Sequence, residues 1–375
     1  MIDFKYVPII KTGDAELKAL SNLSTEVQQS LTPLIELTRG RRSAKDKMGE
    51  LTKRLEKLKQ LQLKAFFLDL TGDSSLSNPE IDIKRTSVDG YKMWRDFCIS
   101  LKDTFPTLYP VIQIEENENY SDYLNNLLEQ ILFFQQNFTC ILFRVTDTNS
   151  NNNINIITDI NNLLKMSNQI DTNKIYYMFD CGFIQDTITH VSLISKCAQV
   201  LSNIGIKKII VSSTSYPNSI SEKFGNVENG EVQCKLLIQN ETQFFSAIKK
   251  ATSDDTISWI YSDYASVNPI RNDNIVMARG WIPRIDLPYD DTILVYRRKR
   301  ETSSYATRYK EIAECISKNP SFISLKNNNP CWGIDEIQKA SDGIISGANI
   351  TFWISIRINI YLSLKVNEFR LAHNQ

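Results

Sequence analysis

Eight polar residues stand at the ends of apolar runs, and their types suit hard-cation and phosphate chemistry. They are Lys11 in "YVPIIK", Glu36 in "LTPLIEL", Asp69 in "AFFLDL", Gln113 and Glu115 in "LYPVIQIE", Arg144 in "CILFRV", Asp180 in "IYYMFD" and Asp263 in "SWIYSD". Ser212 and Ser213 end a further run, "KKIIVSS". A carboxylate buried in such a run is costly unless it is paired, so its recurrence asks for a shared partner. Asp69, Asp180, Glu36 and Asp263 would act as acid and base, with Asp69 and Asp180 the candidates to hold Mg²⁺ or Mn²⁺. Lys11 and Arg144 would take phosphate oxygens, with Gln113, Glu115, Ser212 and Ser213 lining the same site. Together these residues would suit a metal-dependent phosphoester hydrolase. Paired carboxylates could equally work on a sugar. A structural network, in which Lys11 and Arg144 merely neutralise the acids, is the bland alternative.

Two basic clusters extend the list. "RGRRSAKDK" (39–47) follows the Glu36 run and offers Arg39 and Arg41 to a ligand, and "YRRKR" spans 296–300. Either is a solvated loop or a contact for phosphate or nucleic acid. Other chemistries lack their residues. There are two histidines, His190 and His373, and no HExxH, GxSxG or GxGxxG. Gly225 and Gly230 have phosphate-loop spacing, but Glu231 stands where a lysine is needed. Cys181 follows Asp180 and reads better as a passive thiol than as a nucleophile.

Positioning the polar ends requires parallel strands. Eight short β-branched and aromatic runs, at 4–10, 31–37, 65–70, 108–115, 140–145, 175–180, 207–213 and 258–263, alternate with helix-period segments. That alternation predicts an α/β chain folded as a closed (β/α)₈ TIM-like barrel, whose strand carboxyl ends form the mouth. Side chains alternate faces along a strand, so Val7, Ile9 and Lys11 share one face. Leu34 and Glu36, Phe67 and Asp69, Leu142 and Arg144, Met178 and Asp180, and Tyr261 and Asp263 pair likewise. The clearest helix covers "AKDKMGELTKRLEKLKQLQL" (44–63). Residues 1–263 carry the barrel strands and helices one to seven, 264–330 a β-hairpin and helical insertion after strand eight, and 331–375 a closing helical segment that completes the barrel. Residues 214–240 form a loop or small hairpin. "ANITFWISIRINIYLSLKV" predicts an amphipathic helix at 349–370, not a membrane span.

Bulk properties narrow the partners. Lys+Arg and Asp+Glu are both 43 in 375 residues, so net charge gives no general attraction to nucleic acid or membrane. Seven cysteines without a CxxC pair read as reduced thiols, and "MIDFKYVPII" is no signal peptide. A cytoplasmic location follows.

"YVPIIKTGDAELKAL" followed by "LTPLIEL" resembles the opening of the Beta protein family, known from the P4-type phage satellite and from bacterial genomes. "YSDYAS", "GWIPRIDLPYDDTILVYRRK", "CWGIDEIQKASDG" and "TFWISIRINIYLSL" are similar to that family's closing third. Ile360 and Tyr361 stand where the resemblance implies a histidine. The resemblance implies a mobile-element or antiphage-defence setting with a neighbouring defence-system protein as partner, and supplies no reaction. It places Lys11, Glu36 and Asp263 within family motifs. Two functions are expected. The barrel mouth binds, and in one version hydrolyses, a phosphate-bearing small molecule or nucleotide. Alternatively, the chain is a non-catalytic immunity or regulatory partner of a neighbouring toxin or effector, with the hairpin insertion as interface.

Overall fold

The computed structural model describes residues 5–44, 46–115, 119–146, 151–184, 187–270 and 280–371. His373 and the first residue of the 4–10 run lie outside them. The chain is a mixed α/β fold with 14 α-helices among the described residues. It divides into two compact units.

The first unit comprises Met1–Thr12, Leu31–Ser213 and Glu241–Tyr264. It holds β1 (Ile9–Lys11), β2 (Leu34–Leu37), β3 (Phe66–Leu70), β4 (Leu108–Pro110), β5 (Ile141–Thr146), β6 (Ile175–Phe183) and β7 (Lys208–Thr214). In chain order β8 (Gln233–Ile238) falls in the second unit, and β9 (Ser258–Asp263) returns to the first. The strands make two four-stranded sheets, β1-β2-β3-β4 and β5-β6-β7-β9. Helices such as Val88–Leu101, Tyr120–Asn137 and Thr187–Asn203 connect successive strands. These runs are apolar throughout because strands with crossover connections are buried on both faces. One core cluster draws on all eight strands, from Val7 and Ile9 through Leu34, Phe67, Tyr109, Leu142, Met178 and Ile210 to Ile260.

The expected closed eight-stranded barrel is not present as one continuous ladder. At the two seams pairing falls to single parallel bridges, Val111–Leu142 and Tyr6–Tyr261. Proline explains the first. The Val111 N–H bonds the Leu68 carbonyl and the Ile112 N–H the Leu142 carbonyl, so Pro110, two residues before Ile112, lacks the N–H on the β5 side of the ladder, and β4 ends there.

Three further expectations are corrected. The helix expected over 44–63 is confined to Thr52–Lys59. Gly49 sits at φ +72, and a Cβ there would meet the Gly40 carbonyl oxygen at 2.4 Å. That close approach, with the Gly40 N–H to Gly49 carbonyl bond of 2.8 Å, keeps 46–50 out of the helix. The late helix, Ile350–Leu371, is not amphipathic: residues 352–363 are buried except Ile354. Asn359 is matched on both sides, accepting from Gly333 N–H at 2.9 Å and donating to the Ala19 carbonyl at 3.1 Å. The stretch 214–240 contributes a third strand to the hairpin sheet rather than a separate loop.

The second unit comprises Gly13–Ser30, Thr214–Asn240 and Ala265–Gln375. Its antiparallel sheet is ordered β10 (Arg284–Tyr289), β11 (Thr292–Arg297), β8. The β10–β11 hairpin turns through Asp290 at φ +49, a conformation that Asp tolerates in tight turns. Ile285, Leu287 and Tyr296 face helices Tyr305–Ile316, Trp332–Ser341 and Ile350–Leu371. Ile293, Val295 and Leu237 face Tyr216 and Ile220 on the other side.

Candidate functional site

Parallel register brings the strand-end residues together. Lys11 lies opposite Glu36, and Glu36 opposite Asp69, so three neighbouring strands present a row of charges. Arg144 pairs with Met178, which sets Asp180 one pleat further along β6. Val111 bridges Leu142, so Gln113, two residues on, arrives level with Arg144.

Arg144 is the hub. Its Nη1 donates to Glu36 Oε2 and to Asp69 Oδ2, each at 2.9 Å, and its Nε donates to Asp180 Oδ2 at 2.9 Å. Nη2 lies 2.8 Å from the same Asp180 oxygen. The remaining carboxylate oxygens are also engaged. Lys11 Nζ is 3.4 Å from Glu36 Oε1, and Gln113 Nε2 donates to Asp69 Oδ1 at 2.9 Å. Tyr264 donates to Asp180 Oδ1 at 2.5 Å, and the Gly182 N–H reaches that atom at 3.2 Å. Asp180 is 0% exposed, Glu36 4%, and Asp69 and Arg144 9% each.

The electrostatics follow from burial and partners. Burial alone would push the Glu36 carboxyl up, but Arg144 and Lys11, with the Thr71 hydroxyl, hold it below its ordinary value of 4.5. For Arg144, burial disfavours the charge, yet Asp180, Glu36 and Asp69 keep it protonated well above the ordinary range. Burial and the Asp180 carboxylate drive the Tyr264 phenol well above 10, so it stays a donor. These shifts set a pH dependence. Glu36 titrates lower folded than unfolded, so its stabilising contribution is complete above 4.5 and is lost as pH falls through the lowered folded value. Urea unfolding from pH 7 to pH 3 should show stability falling below about pH 4.5, and a Glu36→Gln variant should show a shallower fall. An unchanged slope would remove Glu36 from the balance.

Several expected site residues stand elsewhere. The inward pair on β9 is not Tyr261 and Asp263 but Ile260 and Ser262, followed by Tyr264. Ile260 and Tyr264 belong to the cluster shared with Val7, Phe67 and Met178. Asp263 faces the other way and accepts from Tyr6 Oη at 2.8 Å. Ser212 is on the inner face with Ile210 and opposite Ser262; Ser213 is opposite Asp263 and on the outer face. Glu115 leaves the cluster and accepts from the Ser87 N–H at 2.5 Å. Arg39 is committed to backbone, donating to the Ser75 carbonyl at 3.1 Å and the Gly40 carbonyl at 3.3 Å, whereas Arg41 is exposed. In the second basic run, Arg297 is buried, and Arg298 pairs with Glu311 at 3.1 Å. Sequence reading missed Tyr264, Thr71 and Ser262. Period-two spacing from Asp69 would have found Thr71, and the same spacing from Ile260 the other two.

The donor set does not fit a metal. Every carboxylate oxygen of Glu36, Asp69 and Asp180 already accepts from a cation, an amide or a hydroxyl, so an ion would have to displace Arg144. No group of three acid, histidine or cysteine side chains suited to a metal occurs among the described residues. Arg144 spends its donors on three carboxylates. Phosphate would approach a cluster in which three acids outnumber two cations.

Comparison with known proteins adds the lineage. A family profile described as Beta protein matches residues 6–367. The chain belongs to the Beta protein family. Protein beta of Enterobacteria phage P4 is 26% identical over 370 residues, covering 97% of this chain and 93% of that protein. Among solved structures, the spore cortex-lytic enzyme SleL of Bacillus megaterium aligns with 86% of this chain and 68% of its own, at 9% identity and a TM-score of 0.35. The Beta family match spans both units, so the hairpin sheet is as much part of the family's extent as the strand-end cluster.

Proposed function

We propose that this Beta-family chain is a non-catalytic binding component of a mobile-element or antiphage-defence module, whose partner is the protein of a neighbouring gene. The saturation of the strand-end cluster carries this reading: a general base or metal-holding carboxylate needs an oxygen free for substrate, and Glu36, Asp69 and Asp180 have none. On this reading the cluster locks the strand ends together. The eight parallel strands are read as one (β/α)₈ barrel. The single bridges at both seams and the shared core cluster support closure. The seven unbonded cysteines fit a reducing, cytoplasmic setting. No helix among the described residues is long and apolar enough to cross a membrane.

The docking surface is the hairpin sheet. Its edge strand β8 exposes Cys234, Leu236 and Ile238 in alternation, the last two at 53% and 57%. An uncovered edge with alternating apolar side chains is suited to receive an extended segment of another protein. Leu236→Lys combined with Ile238→Lys should weaken binding to the co-expressed neighbouring-gene product at least ~100-fold by calorimetry. Asp69→Asn should leave binding unchanged. Full binding by the lysine variant, or loss of binding by Asp69→Asn alone, would overturn this assignment.

A second reading keeps a small ligand at the strand ends. The hydroxyls of Ser212 and Ser262 favour it, being buried, adjacent in register and without a hydrogen-bond partner among the described residues. A phosphate-bearing ligand there would meet Lys11 as its partly exposed cation.

A further inference from the structure

A second charged cluster lies in the hairpin unit, and it is unbalanced in the opposite sense. Arg284 on β10 lies directly opposite Arg297 on β11. Arg357 comes from the helix Ile350–Leu371. One carboxylate, Asp286, serves them. Its Oδ2 accepts from Arg357 Nη1 at 2.6 Å, from Tyr216 Oη at 2.9 Å, and lies 3.2 Å from Arg284 Nε. Arg297 turns instead to backbone, donating to the Gly225 carbonyl at 3.0 Å and the Phe224 carbonyl at 3.4 Å.

The tally leaves positive charge over. Three guanidinium groups face one carboxylate among the described residues, and Tyr216 adds no negative charge because burial pushes its phenol up to about 12. Arg297 feels the surplus: burial first, then Arg284, lower its affinity for its proton. Excess buried charge is unfavourable unless something neutralises it. Polar atoms are also left over. Arg357 Nε, Arg297 Nε and Asp286 Oδ1 are buried without a hydrogen-bond partner among the described residues. Arg357 and Arg297 are 2% and 1% exposed, so these are atoms of well-buried side chains. Arg284 is the group that reaches outward, its side chain 26% exposed. Its terminal nitrogens have no acceptor among the described residues.

We propose that Arg284, backed by Arg297 and Arg357, forms a binding site for a phosphate-type oxyanion. A guanidinium presents paired N–H groups in a planar fork that matches two oxygens of such an anion. The anion supplies the missing negative charge, and Arg284 is where it is admitted. Asp286 and Tyr216 hold Arg357 in place, and Arg357 stacks its guanidinium 4.2 Å from the Tyr216 ring centroid. The site shares no residue with the strand-end cluster and does not depend on the docking role of β8.

The test is a thermal-shift and calorimetric titration of the full chain with inorganic phosphate, with adenosine monophosphate, and with chloride at matched ionic strength. Phosphate should raise the midpoint with the logarithm of its concentration above its Kd, by ~3 °C or more at about 100 times its Kd, beyond the effect of chloride. Arg284→Gln should abolish the increment, and Arg284→Lys should weaken binding roughly tenfold, since an ammonium lacks the fork. A larger response to the nucleotide identifies the phosphoryl group of a bigger ligand, and a response to phosphate alone identifies the free anion. Equal shifts in phosphate and chloride, or a full phosphate response in Arg284→Gln, would overturn the site. Should Arg284→Gln not fold, the absence of saturable heat when the unaltered chain is titrated with phosphate would do the same.

Discussion

Replacing Arg144 by Met should cost about 3–5 kcal/mol of unfolding free energy at pH 7, because it strands buried carboxylates without a counter-charge. The side chain is of similar length, so the loss is electrostatic rather than a cavity. Glu36, Asp69 and Asp180 are between 0% and 9% exposed and all three lean on this one guanidinium. Lys11 approaches Glu36 at 3.4 Å. Arg144→Lys should fall between the two, since one ammonium cannot reach three acids that Nε, Nη1 and Nη2 reach together. The pH dependence should also change sign. In the unaltered chain the lowered Glu36 carboxyl makes acid destabilising. Without Arg144, burial dominates at Glu36 and its folded carboxyl titrates above the unfolded value, so stability rises as pH falls through that raised value. Urea unfolding of both variants across pH 3 to 8 reads this directly. A loss under ~1 kcal/mol, or an acid profile like that of the parent, would show that the cluster is not a lock.

The second large effect is expected at Asp286. Asp286→Asn preserves shape and removes the carboxylate that offsets Arg284 and Arg357. Asp286 is 4% exposed and Arg357 3%, so the remaining charges cannot be solvated cheaply. A loss of about 3–5 kcal/mol should follow at pH 7. Burial opposes ionisation of Asp286, but Arg284 and Arg357 hold its carboxyl below the ordinary value of 3.8. Its contribution is therefore complete above that value and lost as pH falls through the lowered folded one. In Asp286→Asn, added phosphate should recover part of the stability, and by more degrees than in the parent, because the anion then faces three uncompensated guanidiniums. Urea unfolding with and without phosphate checks both parts. If Asp286→Asn is as stable as the parent, the three arginines are not electrostatically strained.

What the sequence determined by itself was local. Alternation along a strand is a property of the backbone, so Lys11, Glu36, Asp69, Arg144 and Asp180 could be assigned to one face without a partner strand in view. Their placement at carboxyl ends followed from the strand–helix alternation. The same rule failed at Asp263 because both Ile260 and Tyr261 are apolar. A strand buried on both faces carries no polar–apolar contrast, so its register is silent in sequence. Helix periodicity over 44–63 likewise could not report that Gly49 would pack on Gly40.

Tertiary structure alone decided the charges. Arg144 and Asp69 are 75 residues apart, and Arg144 and Glu36 are 108. Nothing local says that one guanidinium will meet three acids and leave them no oxygen to spare. Arg297 lies in a basic run that reads as solvated, yet it is buried, because the segment carrying Phe224 and Gly225 supplies the carbonyls that accept from it. Whether a charged side chain is a site or a lock depends on which distant groups satisfy its hydrogen bonds, and that is fixed only when the chain is packed.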